Sequence, residues 1–433
     1  MQVIGFFRNK VVKNASWLMM GKMVQMLLSF LVSILTARFL GPSNYGLINY
    51  GTAYTTFFAS VCTLGINSII VKNFVDFPEE QGVTIGTTLI LRAISSGLSI
   101  LTIIGIVFVI DRNEPATIMV VALCSISLIF QIFDTFNYWF QAKLKSKVTA
   151  IATVFAYLLM SVYKIGLLFS GKNVKWFALS TSIEYLVLAL FLLFNYKRYK
   201  GPKLSFSIEK SKELLKSSNS YIIAGLMVSI YNSTDRLMLK HMLDESSVAY
   251  YSLAVSISTM WVFVLSAIID SMFPVIMQYR NKDYDKYVQA NKKLYALIFY
   301  VAITVSFAIC LMAPIFIKIV YGVSYLKAVE PLRVIVWYTA FSYLGVARNA
   351  WVVSENKKKY LKDIYLGAAI INVVLNRIFI PISGASGAAF ASLLTQLSTI
   401  FVMPAIIKEM QPNAKLMIDA VLLKDIGIKF KQR

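Results

Sequence analysis

The chain has 433 residues, 58% of them hydrophobic and only 15% charged, with a formal net charge of +22. Soluble chains are ordinarily ~45–50% apolar and ~25% charged, so this composition excludes a water-soluble globular enzyme or a nucleic-acid-binding domain. Its exterior must face lipid. The three cysteines, Cys62, Cys124 and Cys310, lie singly inside apolar runs, without disulfide or metal-ligand spacing.

About twelve apolar runs reach the ~20 residues that a helix needs to cross a bilayer. In the first half they lie near Ser16–Phe39, Leu47–Val71, Val83–Ile110, Ala116–Phe140, Val148–Ser170 and Val174–Tyr196. In the second half they lie near Asn219–Met242, Ala249–Val275, Tyr295–Val320, Pro331–Val353, Leu361–Ile380 and Gly387–Ile407. The first run is too long for a signal-peptide core and lacks a small-x-small cleavage site, so it reads as a retained span. The longest connection, Lys197–Ser217, is basic and carries Gly201-Pro202, which makes it the natural seam. Beyond it, the run–turn–run layout of Asn219–Ala254 repeats that of Ser16–Gly51, as the start of a second six-helix unit would. The predicted organisation is a lobe over 1–200, a linker over 201–217, a second lobe over 218–410 and a basic tail over 411–433. In the tail, Leu416, Met417, Val421, Leu422, Ile426, Ile428 and Phe430 are mixed with lysines. That pattern suits either an amphipathic stretch on an anionic leaflet or a plain basic tail.

Lys and Arg gather in alternate connections: before the first span, at Lys143/Lys145/Lys147, through Lys197–Lys216, at Arg280–Lys293, at Lys357–Lys362 and in the tail. With twelve spans these fall on one face, which the positive-inside rule makes cytoplasmic. A multi-pass inner-membrane protein with both termini inside is expected. The opposite loops are too short to carry a catalytic domain, so an integral-membrane polymerase or ligase is not expected. No GxxxxGK[ST] loop is present, so ATP is not the direct energy source.

Charges inside spans are costly in hydrocarbon and usually face a cavity, a partner or an interface. Lys22, Arg92, Lys164, Arg348 and Arg377 are the candidates for a cationic, substrate-binding cavity, where Arg can grip phosphate bidentately and Lys acts as a point charge. Lys22 and Arg92 could instead snorkel to the interface, and Arg377 could be an interface anchor, whereas Lys164 is deepest. Glu184, Asp134 and Asp270 are candidate ion-coupling acids, since a desolvated carboxyl can take up a proton on one side and release it on the other. Glu184 and Lys164 lie at similar depth on consecutive spans and could equally neutralise each other. Asp235 and Arg236, adjacent in sequence, need separate partners. His241, the single histidine, reads as an interface residue at a helix end. Pro274, Pro314 and Pro381 are candidate hinges or ordinary kinks.

Motifs along the whole chain carry a resemblance. Arg38-Phe-Leu-Gly-Pro-Ser-Asn-Tyr-Gly46, Asn137-Tyr-Trp-Phe-Gln-Ala-Lys143, Asp235-Arg-Leu-Met-Leu239 with Val248-Ala-Tyr-Tyr-Ser252, and Phe273-Pro274 appear in that order. Ala313-Pro314 with Val320-Tyr-Gly322 follows, then Asn372-Val-Val-Leu-Asn376 with Ile380-Pro381 and Gly384-Ala-Ser-Gly-Ala-Ala389. Together they resemble the polysaccharide transporter family of the multidrug/oligosaccharidyl-lipid/polysaccharide (MOP) exporter superfamily, in particular the O-antigen flippases. One departure is the turn after the seventh span, where Lys240 and Ala249 stand in place of glycines.

The resemblance implies an all-α membrane protein of twelve helices in two six-helix lobes around a central cavity, as in the superfamily's multidrug (MATE) branch. The implied cargo is an undecaprenyl-pyrophosphate-linked repeat unit of O-antigen or a similar surface polysaccharide, moved between leaflets by alternating access. Partners would be that lipid-linked oligosaccharide, membrane lipids and the polysaccharide polymerase machinery, with no nucleic acid. No cofactor is expected; protons or sodium ions are the candidate coupling ions. A multidrug antiporter and a peptidoglycan precursor flippase are the alternatives.

Overall fold

The structure, a computed structural model, describes residues 2–424, so Ile426, Ile428 and Phe430 of the tail lie outside the described residues. The described chain is almost entirely helical and contains no strand. Its helices are α1 (Gln2–Thr63), α2 (Asn67–Asp76), α3 (Gln81–Ile110), α4 (Pro115–Ser125), α5 (Ser127–Gln131), α6 (Thr135–Ala142), α7 (Ser146–Phe169) and α8 (Val174–Arg198). There follow α9 (Ile208–Met242), α10 (Glu245–Thr259), α11 (Phe263–Lys282), α12 (Tyr284–Val320), α13 (Val329–Ser354), α14 (Leu361–Leu397), α15 (Met403–Ile406) and α16 (Gln411–Val421).

Among the described residues seven helices are long and apolar enough to cross a membrane, or eight with the pair α10–α11, which is bent by 43°. Twelve spans are expected from the sequence. Part of the difference is that two of the seven segments, Met19–Thr63 and Lys358–Ile406, each contain two of the expected spans. Each is broken at a glycine in the left-handed half of backbone space, Gly41 (φ 72°) in α1 and Gly384 (φ 59°) in α14. Only glycine adopts such angles without a Cβ clash, and Pro42 then suits the first turn of the next segment. α9 and α13 do not pass, because Asn232, Asp235 and Arg236 in one and Glu330, Arg333 and Arg348 in the other dilute their apolar runs.

The outward faces confirm the solvent. On α12, Phe307, Leu311, Ile315 and Ile319 repeat every fourth residue and are all exposed, as are Ile94, Leu98, Leu101 and Phe108 on α3. Contiguous apolar stripes of this length are not left facing water. This is a multi-pass membrane protein.

The chain folds into two compact units, Met1–Ser233 and Thr234–Arg433, dividing inside α9. In the first, Ile70, Phe74, Phe136, Trp139, Phe140 and Leu214 form a core at one end of the helices. The connection 201–207 is extended and lies across the start of α3 in the same unit. The Ser205 amide donates to the Gly82 carbonyl at 3.3 Å, and the Ser207 amide to the Thr87 hydroxyl at 3.1 Å. A Cβ at Gly82 would sit 2.2 Å from the Lys203 carbonyl oxygen, and one at Gly86 2.3 Å from that of Ser205. Glycine one helical turn apart thus makes a trough for a strap. Lys210 pins its far end, pairing with Glu80 at 2.9 Å and Glu213 at 3.0 Å. Burial pulls the Lys210 ammonium down, but its hydrogen bonds to Glu80 and Glu213 outweigh this and hold its pKa above the ordinary lysine value. A cation whose folded pKa is raised contributes stability below the unfolded pKa and loses it only as pH climbs through the folded one. The clasp therefore persists through the neutral range.

In the second unit, Leu265, Tyr287, Tyr295, Leu344, Trp351 and Met417 belong to one core. The helix α16 lies on α12, with Ala414, Met417 and Ala420 buried, Asn413 donating to the Tyr295 hydroxyl at 2.8 Å, and Asp419 paired with Lys292 at 3.1 Å. The first part of the expected tail is therefore a packed helix. The turn Leu243–Glu245 is closed by Asp244, whose carboxylate caps α10 by accepting from the Ser247 amide at 2.7 Å.

Candidate functional site

The first unit contains a polar cavity of about 230 Å³ among α1, α7 and α8. The polar positions Ser29, Ser33 and Thr36 fall at i, i+4 and i+7 on α1, so one helix face carries all three. Asn49 and Thr52 from the segment after Gly41, Ser161, Lys164, Ser180 and Thr181 from α7 and α8, and the tyrosines Tyr45 and Tyr157 make up the rest of the polar lining. Lys164 is the cation among the lining residues, half-buried, and its ammonium has no hydrogen-bond or ion-pair partner among the described residues. Glu184 on α8, also half-buried, acts on Lys164 electrostatically without forming an ion pair.

The other sequence-predicted bases are placed differently. Arg92 is 2% exposed and donates to Thr135 Oγ1 at 2.9 Å and to Asn67 Oδ1, with its guanidinium over the Tyr138 ring. Arg348 is 1% exposed and donates to the Thr399 carbonyl at 2.9 Å. Both are tied to neighbouring helices within their own unit. Lys22 and Arg377 are exposed. Among the carboxylates, Asp270 is exposed, while Asp134 is half-buried and accepts from Asn137 at 3.1 Å. α11 and α12 continue helically through Pro274 and Pro314, whereas Pro381 lies three residues before the break at Gly384. The bend between α10 and α11 falls at Met260–Val262, ahead of Pro274.

The second unit is built around a residue that the sequence did not single out as a site. Asp235 on α9 is 4% exposed. Its carboxylate accepts from Ser392 at 2.7 Å, from Asn372 at 3.1 Å, from Asn376 and from the Tyr251 hydroxyl. Four helices, α9, α10, α14 before its break and α14 after it, converge on one negative charge. A signal existed in the sequence: Asn372 and Asn376 lie one turn apart on an apolar helix, hence on one face, and two buried amides need a shared partner. That the partner is Asp235 depends on tertiary packing. Elsewhere in this unit, α10, α12 and α13 enclose an apolar groove of about 440 Å³ bordered by Trp261, Met312 and Phe316. Thr304 is a polar side chain there, and its hydroxyl is already bonded to the Tyr300 carbonyl at 2.8 Å.

The profile of a family described as "Polysaccharide biosynthesis protein" matches residues 11–280, more than half of the sequence. The chain belongs to this polysaccharide biosynthesis family. Among curated proteins none matches it in sequence. Solved structures similar to this family member include an inward-facing MATE-family multidrug resistance transporter of the MOP superfamily. It shares 16% identity with a TM-score of 0.71, over 93% of this chain and 96% of that one. Lipid II flippase MurJ in an inward closed conformation is 13% identical, with a TM-score of 0.68 over 94% of this chain and 90% of that one. A MOP-superfamily transporter from Pyrococcus furiosus is 14% identical, with a TM-score of 0.65 over 93% and 96%. The family member therefore has the all-α fold of the MOP superfamily, as the sequence motifs imply. These solved structures of the same fold are transporters and a flippase.

Proposed function

We propose that this polysaccharide biosynthesis family member is a flippase that moves undecaprenyl-pyrophosphate-linked repeat units of a surface polysaccharide from the cytoplasmic to the outer leaflet of the inner membrane. The observation that carries the proposal is the cavity of the first unit: a polar, hydroxyl-lined space with the unpartnered ammonium of Lys164, set within membrane-spanning helices. A polar cavity in a membrane bundle is expensive unless a polar cargo uses it. The family's description favours glycan over drug as that cargo, and the neighbour whose title names lipid II lends the lipid-linked form. Transport by alternating access, rather than bond-making chemistry, is the activity. Coupling to H⁺ or Na⁺ would supply the energy, with Glu184 the carboxylate best placed to report cavity occupancy to a proton, because its charge acts on Lys164.

A strain lacking the gene is expected to lose the polymeric surface glycan and to accumulate its lipid-linked monomer. Complementation with Lys164→Gln should restore roughly ten-fold less polymer than wild type, the loss of one hydrogen bond to a charged group. Undiminished polymer with no accumulated monomer in the deletion strain would remove the proposal.

A further inference from the structure

Five of the hydroxyls around this cavity are not free donors. Ser33 donates to the Phe30 carbonyl at 2.8 Å, Thr36 to Val32 at 2.8 Å and Thr52 to Asn49 at 3.0 Å. Ser161 donates to Tyr157 at 2.7 Å, Ser180 to Phe177 at 2.5 Å, and the Asn49 amide nitrogen to Tyr45 at 2.8 Å. Each of these hydroxyls has spent its proton on the backbone of its own helix, the back-bonding that Ser and Thr commonly make in helices, while the Asn49 amide keeps one N–H. What the five hydroxyls can still offer a ligand is lone pairs. The wall is acceptor-rich, and its remaining donors are the Lys164 ammonium, the second Asn49 amide N–H and the hydroxyls of Ser29 and Thr181.

Such a wall discriminates. A phosphate or carboxylate is acceptor-only when ionised, so it would set lone pairs against lone pairs at each of the five back-bonded hydroxyls, Ser33, Thr36, Thr52, Ser161 and Ser180. A sugar hydroxyl both donates and accepts. Its protons satisfy the wall, and one ring or hydroxyl oxygen accepts from Lys164. We infer that the cavity of the first unit is a subsite for one uncharged, polyhydroxylated sugar residue of the cargo rather than for its diphosphate. This rests on the glycan-transport reading and assigns the part of the cargo that this cavity takes.

Saturation-transfer NMR on the full chain in lipid nanodiscs tests it, with the methyl glycosides of glucose, galactose, mannose and N-acetylglucosamine, and with glucuronate, at tens of millimolar. At least one neutral glycoside should give a signal stronger than glucuronate, and inorganic pyrophosphate should not suppress it. The double variant Thr36→Val/Ser161→Ala, which removes two acceptors, should weaken the signal roughly five-fold. No signal from any neutral glycoside, suppression by pyrophosphate, or a signal unchanged in the double variant would each overturn the assignment. The pyrophosphate competition needs only the wild-type chain, so it decides even where the variant fails to fold. Should the deletion strain accumulate lipid-linked monomer while these glycosides fail to bind, flipping would stand and the sugar subsite alone would fall.

Discussion

Asp235→Ala should be the most damaging single substitution in the second unit. The carboxylate gathers four donors from side chains on α10 and α14, namely Tyr251, Ser392, Asn372 and Asn376. Removing it leaves Asn376 its bond to the Asn372 oxygen and lets Tyr251 and Ser392 bond only each other, at ~1–3 kcal/mol for each donor left unsatisfied and out of reach of water. Two such unsatisfied donors already amount to a large share of the ~5–15 kcal/mol that holds a folded chain together. Asp235→Asn keeps the shape but turns one acceptor into a donor aimed at other donors, so an intermediate loss is expected. Fluorescence-detected thermal unfolding in detergent should order the three proteins as wild type, Asp235→Asn, Asp235→Ala. An alanine variant melting with wild type would mean that the helices of this unit are held by apolar packing alone.

The second large effect is expected at the strap. Gly86→Leu would drive a side chain into the Ser205 carbonyl, since even its Cβ would start 2.3 Å away. Overpacking of this kind costs ~1–3 kcal/mol, and here the backbone segment 201–207 is the partner able to yield. Once lifted, it loses the Ser205–Gly82 and Ser207–Thr87 hydrogen bonds. Local opening then becomes easier, and proteolysis follows the open population when reclosing is fast. Trypsin should cut at Lys203, which is exposed, about ten-fold faster in Gly86→Leu than in wild type, a factor that ~1.4 kcal/mol of local opening would supply. Equal cleavage rates would show that the strap is not held by the glycine trough.

Membrane residence, the two spans hidden in each of α1 and α14, and the glycines that break them were legible because each is a local property: run length, composition, or a Gly-Pro or Pro-x-x-Gly step. The superfamily was legible because its motifs mark those same breaks. The sites were less so. Lys164 could be recognised as deep, and it does line the cavity. Arg92 and Arg348 gave the same sequence signal, a base inside an apolar run, yet their guanidinium groups are tied to Thr135, Asn67 and Thr399. Span depth says that a charge needs a partner and not whether the partner is cargo or a neighbouring helix. Asp235 was visible as a charge, and Asn372 and Asn376 as a motif, but their meeting joins residues some 137 and 141 positions apart. The strap was hidden for another reason. A basic Gly-Pro connection reads as a loose seam, and only the trough formed by Gly82 and Gly86 shows that it is seated.

Reconstitution tests transport most directly. The purified chain would be placed in vesicles whose inner leaflet holds the undecaprenyl-pyrophosphate-linked repeat unit, with a glycosidase outside. If this family member moves that lipid, glycan should become cleavable from outside at a rate that depends on the protein and falls with Lys164→Gln. Cleavage no faster than in protein-free vesicles, under imposed proton and sodium gradients of either direction, would contradict it.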